Sequence, residues 1–300
     1  MNLGELKKIF HSELANLYEK DEIESFFKLL MNEYLSLKPF ELLINSDYII
    51  ENKKEELIFD ALSQLKLEKP IQYILSKTHF YGLEFILNNN VLIPRPETEE
   101  LVDWIIKEVQ SIENKREDLK VSEQTKNYKQ QTTIKILDIG TGSGCIAISL
   151  AKNLPNIQVY ALDVSEQALT IARLNAKNNK VEIEFIAANV LELEKLPYQF
   201  DIIVSNPPYV REVEKTLMKN NVIKYEPHLA LFVKNEDPLL FYKQISKLAS
   251  KHIIKGGWLY FEINQYLGKE TIEILKINKF TEIELKKDLY GNDRMLKCKN

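Results

Sequence analysis

Residues 136–151 read ILDIGTGSGCIAISLA. An apolar run closes on Asp138 and Ile139, three glycines follow at every second position (Gly140, Gly142, Gly144), and a second apolar run begins at Cys145. Glycine lets a backbone turn sharply and lets other groups approach it closely. The stretch therefore reads as strand, glycine loop and helix. The same alternation continues downstream. IQVYALDV, VEIEFIAANV, FDIIVSN and WLYFEIN are β-rich, and SEQALTIARLNAKNN and PLLFYKQISKLASKHII have helical spacing. Asp237 and Pro238 are placed to start the last of these helices. Strands alternating with helices imply a mostly parallel sheet covered on both faces. FTEIELKKD and RMLKCKN are two further strand-like runs with a short junction, which predicts an antiparallel pair. The expectation is an α/β, doubly wound, mostly parallel sheet of seven strands.

Upstream the pattern differs. Leu3, Leu6, Ile9, Phe10, Leu14 and Leu17 recur at helical spacing. Asp21 and Glu24 have the spacing of a capping box, and Pro39 suits a first helical turn. Residues 1–75 are expected to form a bundle of about four short helices. The stretch 76–97 is expected to hold a β-hairpin over roughly 79–93, turning at Asn88-Asn89-Asn90 and ended by Pro94 and Pro96. Residues 98–300 are then the catalytic domain, with 111–132 an exposed helix end running into a polar linker.

Composition narrows the function. The chain has 300 residues, 45% hydrophobic and 28% charged, enough to bury a core without disulfides or a metal. Two cysteines and four scattered histidines show no ligand spacing, so no metal is expected. The N-terminus lacks the apolar core of a signal peptide, and no run approaches membrane-spanning length. A cytoplasmic protein is expected. The net charge is −4, and the first 80 residues hold ten basic against fourteen acidic side chains, which argues against a nucleic-acid grip there.

Ligands of open α/β sheets bind at the carboxyl ends of the strands. The glycine loop sits at that edge. So does Asp163, at the end of ALD, where a carboxylate can accept hydrogen bonds from ribose hydroxyls. The dinucleotide fingerprint is G-x-G-x-x-G. Here the third glycine comes one residue early, and Asp138 precedes the loop by two. A carboxylate so placed disfavours a pyrophosphate and suits a cationic ligand such as S-adenosyl-L-methionine (SAM).

The fourth strand of the sheet ends in Ser205-Asn206-Pro207-Pro208-Tyr209. Proline fixes φ near −65° and donates nothing, so this loop is stiff and its carbonyls are left to accept. The Asn206 side chain and the Pro207 carbonyl can each take one proton of a planar –NH₂ group, with Tyr209 against its flat face. That arrangement suits methyl transfer to an amide or an exocyclic amine.

NPPY, DIGTGSG and ALDVS resemble the class I SAM-dependent N-methyltransferases. PIQYIL, FYGLEF, VLIPRPETEELVDW, EPHLAL and DLYGNDR further resemble the bacterial release-factor glutamine methyltransferases, the PrmC/HemK family, across essentially the whole chain. The resemblance implies transfer of methyl from SAM to the side-chain amide nitrogen (N5) of the glutamine in the Gly-Gly-Gln motif of peptide chain release factors. It implies that Gly140, Thr141, Gly142, Ser143 and Gly144 cradle the cofactor and that Asp163 holds its ribose. Asn206, Pro207, Pro208 and Tyr209 would bind the glutamine amide and carry the chemistry, with Asn206 also touching the cofactor. Arg95 would wall the active site, and the N-terminal helices would recognise the protein substrate. Asn189 and Val190 stand where the family often has Asp and Trp against adenine. Asn264 replaces a usual glycine and is expected to lie outside the chemistry. The rival readings are a glutamine methyltransferase of a large-subunit ribosomal protein, a DNA adenine N6-methyltransferase, and a cofactor-binding protein without activity.

Overall fold

The computed structural model describes residues 1–122 and 133–300, with side chains described outside 112–132. The chain divides into two compact units, one made of 1–77 with 218–225 and the other of 78–217 with 226–300.

The first unit is helical: α1 (Leu3–Leu14), α2 (Lys20–Leu35), α3 (Pro39–Ile44), α4 (Asn52–Lys66) and α5 (Ile71–Leu75). Residues 1–75 hold five helices rather than about four, because PIQYIL makes a turn of helix of its own. The capping box lies at Asn2 and Glu5, which exchange hydrogen bonds with each other's backbone. Asp21 falls inside the first turn of α2, whose cap, Glu19, makes no side-chain bond. Pro39 opens α3, as its fixed φ allows. Leu6, Phe10, Phe27, Leu30 and Leu65 form the buried core of the unit.

The second unit begins with β1 (Lys77–Phe80) and β2 (Leu83–Ile86). Their turn is Tyr81-Gly82, both at positive φ, the geometry whose twist matches a two-residue hairpin. The Asn88–Asn90 cluster lies beyond the hairpin and makes a separate turn, in which the Asn90 N–H donates to the Asn88 side chain. Helix α6 (Pro96–Ser122) follows. The linker expected after it, 123–132, lies outside the described residues.

The chain then runs β3 (Ile134–Ile139), α7 (Cys145–Asn153), β4 (Ile157–Asp163), α8 (Glu166–Asn179), β5 (Ile183–Ala187), β6 (Phe200–Ser205) and β7 (Val210–Arg211). After α9 (Asn220–Tyr225), which belongs to the first unit, come α10 (His228–Leu231), β8 (Phe232–Val233), α11 (Leu240–His252), β9 (Ile253–Glu262), α12 (Gly268–Ile277), β10 (Thr281–Lys287) and β11 (Asp293–Lys299). Helix α11 starts at Leu240, two residues past Pro238, with no side-chain cap. Helix α12, only ten residues long, was not expected from the sequence; it buries Thr271, Ile274 and Leu275. Among the described residues the main sheet has seven strands in the order β10-β11-β9-β6-β3-β4-β5. Only β11 is antiparallel to its neighbours, and it is joined to β10 by the short loop DLYGN.

Alternation along the central strands fills both faces. Leu137, Ile139, Ile203 and Phe261 pack towards α11 and α12, whereas Ile134, Ile136, Ile202 and Tyr260 pack towards α6 and α7. The reversal of strand order between β3 and β6 opens a crevice at the carboxyl edge. One buried side chain pins that edge to the hairpin. Asn175 of α8 accepts from the Ile86 N–H (2.7 Å) and donates to the carbonyls of Ile86 (3.0 Å) and Ser143 (2.9 Å). Its shape lets it complete backbone pairing for two segments at once. Asn175→Leu keeps the volume but strands three backbone groups, the buried Ser143 carbonyl and the half-buried N–H and carbonyl of Ile86. The expected loss is about 2–4 kcal/mol, from the cost of unmet buried hydrogen bonds, read as a lowered denaturation midpoint. An unchanged midpoint would remove Asn175 from this role.

Candidate functional site

A cavity of about 320 Å³ opens at the carboxyl edge of the sheet. That is within the size range of small-molecule sites. Its floor is the glycine loop. The N–H groups of Gly140 and Thr141 donate to the Leu162 carbonyl at the end of β4, at 2.8 and 3.1 Å. Gly142, at φ +55°, turns its N–H onto the Asp163 carboxylate at 2.8 Å. The other Asp163 oxygen accepts from the Ser165 N–H at 2.9 Å. Burial nonetheless raises the pKa of Asp163, against those two donors.

The loop residues divide by role. Gly140 and Gly142 line the cavity together with Asp163. Thr141, Ser143 and Gly144 support the loop from behind. The Thr141 hydroxyl donates to Asp138 (2.7 Å), and the Ser143 carbonyl is held by Asn175. At Gly144 a Cβ would lie 2.9 Å from the Ile148 side chain and 3.2 Å from that of Ala172, so this glycine lets α7 and α8 pack. Asp138 is wholly buried, and its Oδ1 has no hydrogen-bond partner. Burial pushes its carboxyl up to about 7, and the neighbouring charge of Asp163 adds to this.

Asn189 and Val190 both line the cavity. Asn189 Oδ1 accepts from the Leu191 N–H at 3.1 Å and its Nδ2 donates to Glu192 at 2.8 Å, so this side chain shapes the turn. Val190 is buried and offers an apolar wall.

The proline loop supplies the facing side, with Asn206, Pro207 and Pro208 on the cavity. The Ser205 hydroxyl donates to the Ile139 carbonyl at 2.7 Å and locks the ends of β6 and β3. Asn206 Nδ2 donates to Thr98 Oγ1 at 3.2 Å. Thr98 Oγ1 donates to Glu262 Oε2 at 2.6 Å, and the Tyr209 hydroxyl donates to Glu262 Oε1 at 2.9 Å. Tyr209 itself packs into the core beneath the loop and is not a cavity wall. Burial is the main reason its phenol is held far above the ordinary value, with the Glu262 charge adding to it. Asn264 Nδ2 donates to the Tyr209 carbonyl at 3.1 Å and to Glu214 at 3.1 Å. The asparagine expected to be remote from the chemistry is therefore a clamp on the loop that carries it.

Arg95 does not face the cavity. Its guanidinium pairs with Glu226 at 2.6 Å, and the second Glu226 oxygen accepts from the Ile93 N–H at 3.3 Å. Glu226 is 4% exposed. Pro227, Leu229 and Ala230, which follow it, line the cavity, so Arg95 acts on the site by anchoring this stretch. Thr98, Glu226 and Glu262 were not singled out from sequence. Thr98 and Glu226 lay inside the quoted stretches IPRPETEE and EPHLAL, but as single letters they carry no signal.

Residues 122–229 match the family model "Methyltransferase small domain". The chain is 54% identical over 288 residues to a release factor glutamine methyltransferase of Flavobacterium psychrophilum, covering 96% of this chain and 95% of that one. It is 40% identical to the protein of the same description from Bacteroides thetaiotaomicron, covering 94% of this chain and 95% of that one. Among solved structures it is similar to the hMettl16 catalytic domain in complex with an RNA hairpin, at 16% identity and a TM-score of 0.52, over 80% of this chain and 82% of that one. The last similarity concerns the fold.

The Arg95–Glu226 pair generates a test. Arg95→Ala leaves a buried carboxylate with only the Ile93 N–H, a loss on the order of 3 kcal/mol by analogy with other broken buried pairs. Adding Glu226→Ala removes the stranded charge and should recover part of that stability, read from denaturant melts. A double variant as unstable as the sum of both singles would show that the pair is not coupled.

Proposed function

The chain belongs to the release factor glutamine methyltransferases, and on that footing we propose that it methylates the side-chain amide nitrogen of the glutamine in the Gly-Gly-Gln motif of peptide chain release factors. It is a SAM-dependent enzyme of the class I methyltransferase fold. The observation that carries the reading is the orientation of Asn206. Its Nδ2 is used by Thr98, which leaves Oδ1 as an acceptor for an incoming N–H.

The cavity fits SAM. It is lined by glycines without side chains to block approach and by the Asp163 carboxylate, and the buried Asp138, which holds the loop through Thr141, has an unmet oxygen. Gly140 and Gly142 would hold the methionine part, Asp163 the ribose, and Asn189 and Val190 the base. When bound, SAM supplies an electrophilic methyl on a positively charged sulfur.

The protein's contribution is orientation. An amide nitrogen is a poor nucleophile because its lone pair is delocalised. Asn206 Oδ1 and the Pro207 carbonyl hold its two protons and aim the lone pair. Such alignment contributes ~7–11 kcal/mol when attack geometry is good. The same acceptors stabilise positive charge that develops on the nitrogen. Pro207 and Pro208 keep the loop stiff. Tyr209 sets the loop from beneath by its hydroxyl, tethered to Glu262, rather than walling the substrate as the sequence suggested.

The helical unit is assigned to the protein substrate. In α3 and just beyond it Phe40, Leu43, Ile44 and Ile49 are 59–76% exposed, an apolar surface suited to a protein partner. No helix of the described residues is long and apolar enough to cross a membrane.

Transfer of labelled methyl from SAM to a purified release factor, run beside its Gly-Gly-Ala variant, tests the reading. Label is expected in the first alone. Label in neither would move the target to a ribosomal protein or a nucleic acid. Asn206→Ala should lower turnover at least a hundredfold with SAM binding retained.

The buried acid adds a pH test. The Asp138 carboxyl titrates near 7 in the folded protein against 3.8 ordinarily. The folded chain therefore binds more protons than the unfolded one across this window, and its stability falls as pH rises from about 4 to 7. A cationic ligand favours the ionised form, so SAM affinity should rise with pH through about 6–8. Asp138→Asn should flatten that rise in a calorimetric series. A wild-type affinity independent of pH would show that Asp138 does not act on the ligand's charge.

A further inference from the structure

An asparagine side chain has two ends that differ only in hydrogen-bonding sense. Methyl transfer requires the oxygen of Asn206 to face the substrate, because the substrate brings N–H donors. Turned over, the same side chain would set donor against donor. The cavity cannot choose between the two orientations before a substrate arrives.

The choice is made behind the loop. Glu262 closes β9 and is 1% exposed. Two hydroxyls converge on it, Thr98 Oγ1 at 2.6 Å and Tyr209 OH at 2.9 Å. An ionised carboxylate has no proton to give, so both hydroxyls must donate to it. Thr98 has one hydroxyl proton, and it is spent there. Towards Asn206 the Thr98 oxygen can then only accept, and only the Nδ2 end of the asparagine can satisfy it, at 3.2 Å. The 2.6 Å contact is in the range of a charge-assisted O–H···O⁻ bond. Burial raises the pKa of Glu262, and the two hydroxyl donors and the positive charge of Arg294, held by Asp288 at 3.1 Å, act against it in favour of the ionised form.

We propose that Glu262 and Thr98 are positioning residues that set the polarity of Asn206, through a one-way chain of hydrogen bonds running from Nδ2 to the Thr98 hydroxyl to the buried carboxylate. Neither group touches the substrate. Together they keep Oδ1 turned to the incoming amide in the empty and the loaded enzyme alike. The inference rests on the reading of Asn206 as the amide acceptor.

The test uses the full chain, with SAM binding by calorimetry and steady-state methylation of a purified release factor. Thr98→Val is nearly isosteric and removes the hydroxyl, while Thr98→Ser keeps it. Thr98→Val should cut kcat at least tenfold while the SAM dissociation constant stays within about twofold. Thr98→Ser should restore most of kcat. Glu262→Gln can donate towards Thr98 and reverse the chain, so it should also cut kcat at least tenfold. Because both changes break one chain, the double variant Thr98→Val with Glu262→Gln should be no slower than the slower single. Wild-type kcat in Thr98→Val, an equal loss in Thr98→Ser, or losses that multiply in the double variant would each overturn the proposal. Loss of SAM binding in both singles would overturn it too, since the two residues would then be structural. Asn206→Ala separates the two readings. If it is inactive while Thr98→Val and Glu262→Gln are normal, the polarity chain fails alone. If it is active, the reading of Asn206 fails as well.

Discussion

The hydrogen bond from the Ser205 hydroxyl to the Ile139 carbonyl joins the last residues of two neighbouring strands. One of these strands runs into the glycine loop and the other into the proline loop. Parallel pairing sends both chains out of the sheet in the same direction, and this bond fixes how far apart they leave it. The Leu162 carbonyl does the same for the glycine loop and β4. The cavity is the space these three strand ends enclose. The glycine and proline loops face each other because of the register in which β3, β4 and β6 pair.

Around that frame stand four carboxyl groups, Asp163 half-buried and the other three buried, and each is handled differently. Glu226 is paired with a guanidinium. Asp163 takes two backbone N–H groups. Glu262 takes two hydroxyls. Asp138 takes one hydroxyl and keeps an unmet oxygen. Burying a charge is expensive unless it is paired or hydrogen-bonded. Three of the four are compensated within the protein and act as anchors. The fourth, Asp138, holds the glycine loop through Thr141 and keeps one oxygen without a partner.

Much of this was legible in the sequence. The switch to strand–helix alternation after residue 132 marks the start of the central sheet, and Gly140, Asp163 and Asn206 stand at strand ends because apolar runs stop there. Local chemistry misled where several residues qualify for one task. Three asparagines outweighed Tyr81-Gly82 as the hairpin turn, yet only the latter pair has two positive φ angles between two strands. Asp21 had the spacing of a cap for α2, but that helix starts at Lys20 and its cap position, Glu19, makes no side-chain bond. The support of the site was illegible for a different reason. Thr98 and Glu262 are 164 residues apart, and Arg95 and Glu226 are 131 apart. No local pattern marks a threonine or a glutamate as the partner of a residue so distant. The placement of Asn264 on the proline loop likewise depends on where β9 ends, which only the folded sheet determines.

Those separations also impose an order on biosynthesis. A chain emerging from the ribosome presents Arg95, Thr98, the glycine loop and the proline loop before it presents Glu226, and Glu226 before Glu262. The visible motifs of the site are thus exported well ahead of the carboxylates that hold them. A nascent chain stopped just after Tyr209 would carry the glycine loop, Asp163 and the proline loop and lack both Glu226 and Glu262. The site is completed late, by residues whose letters give no hint of their task.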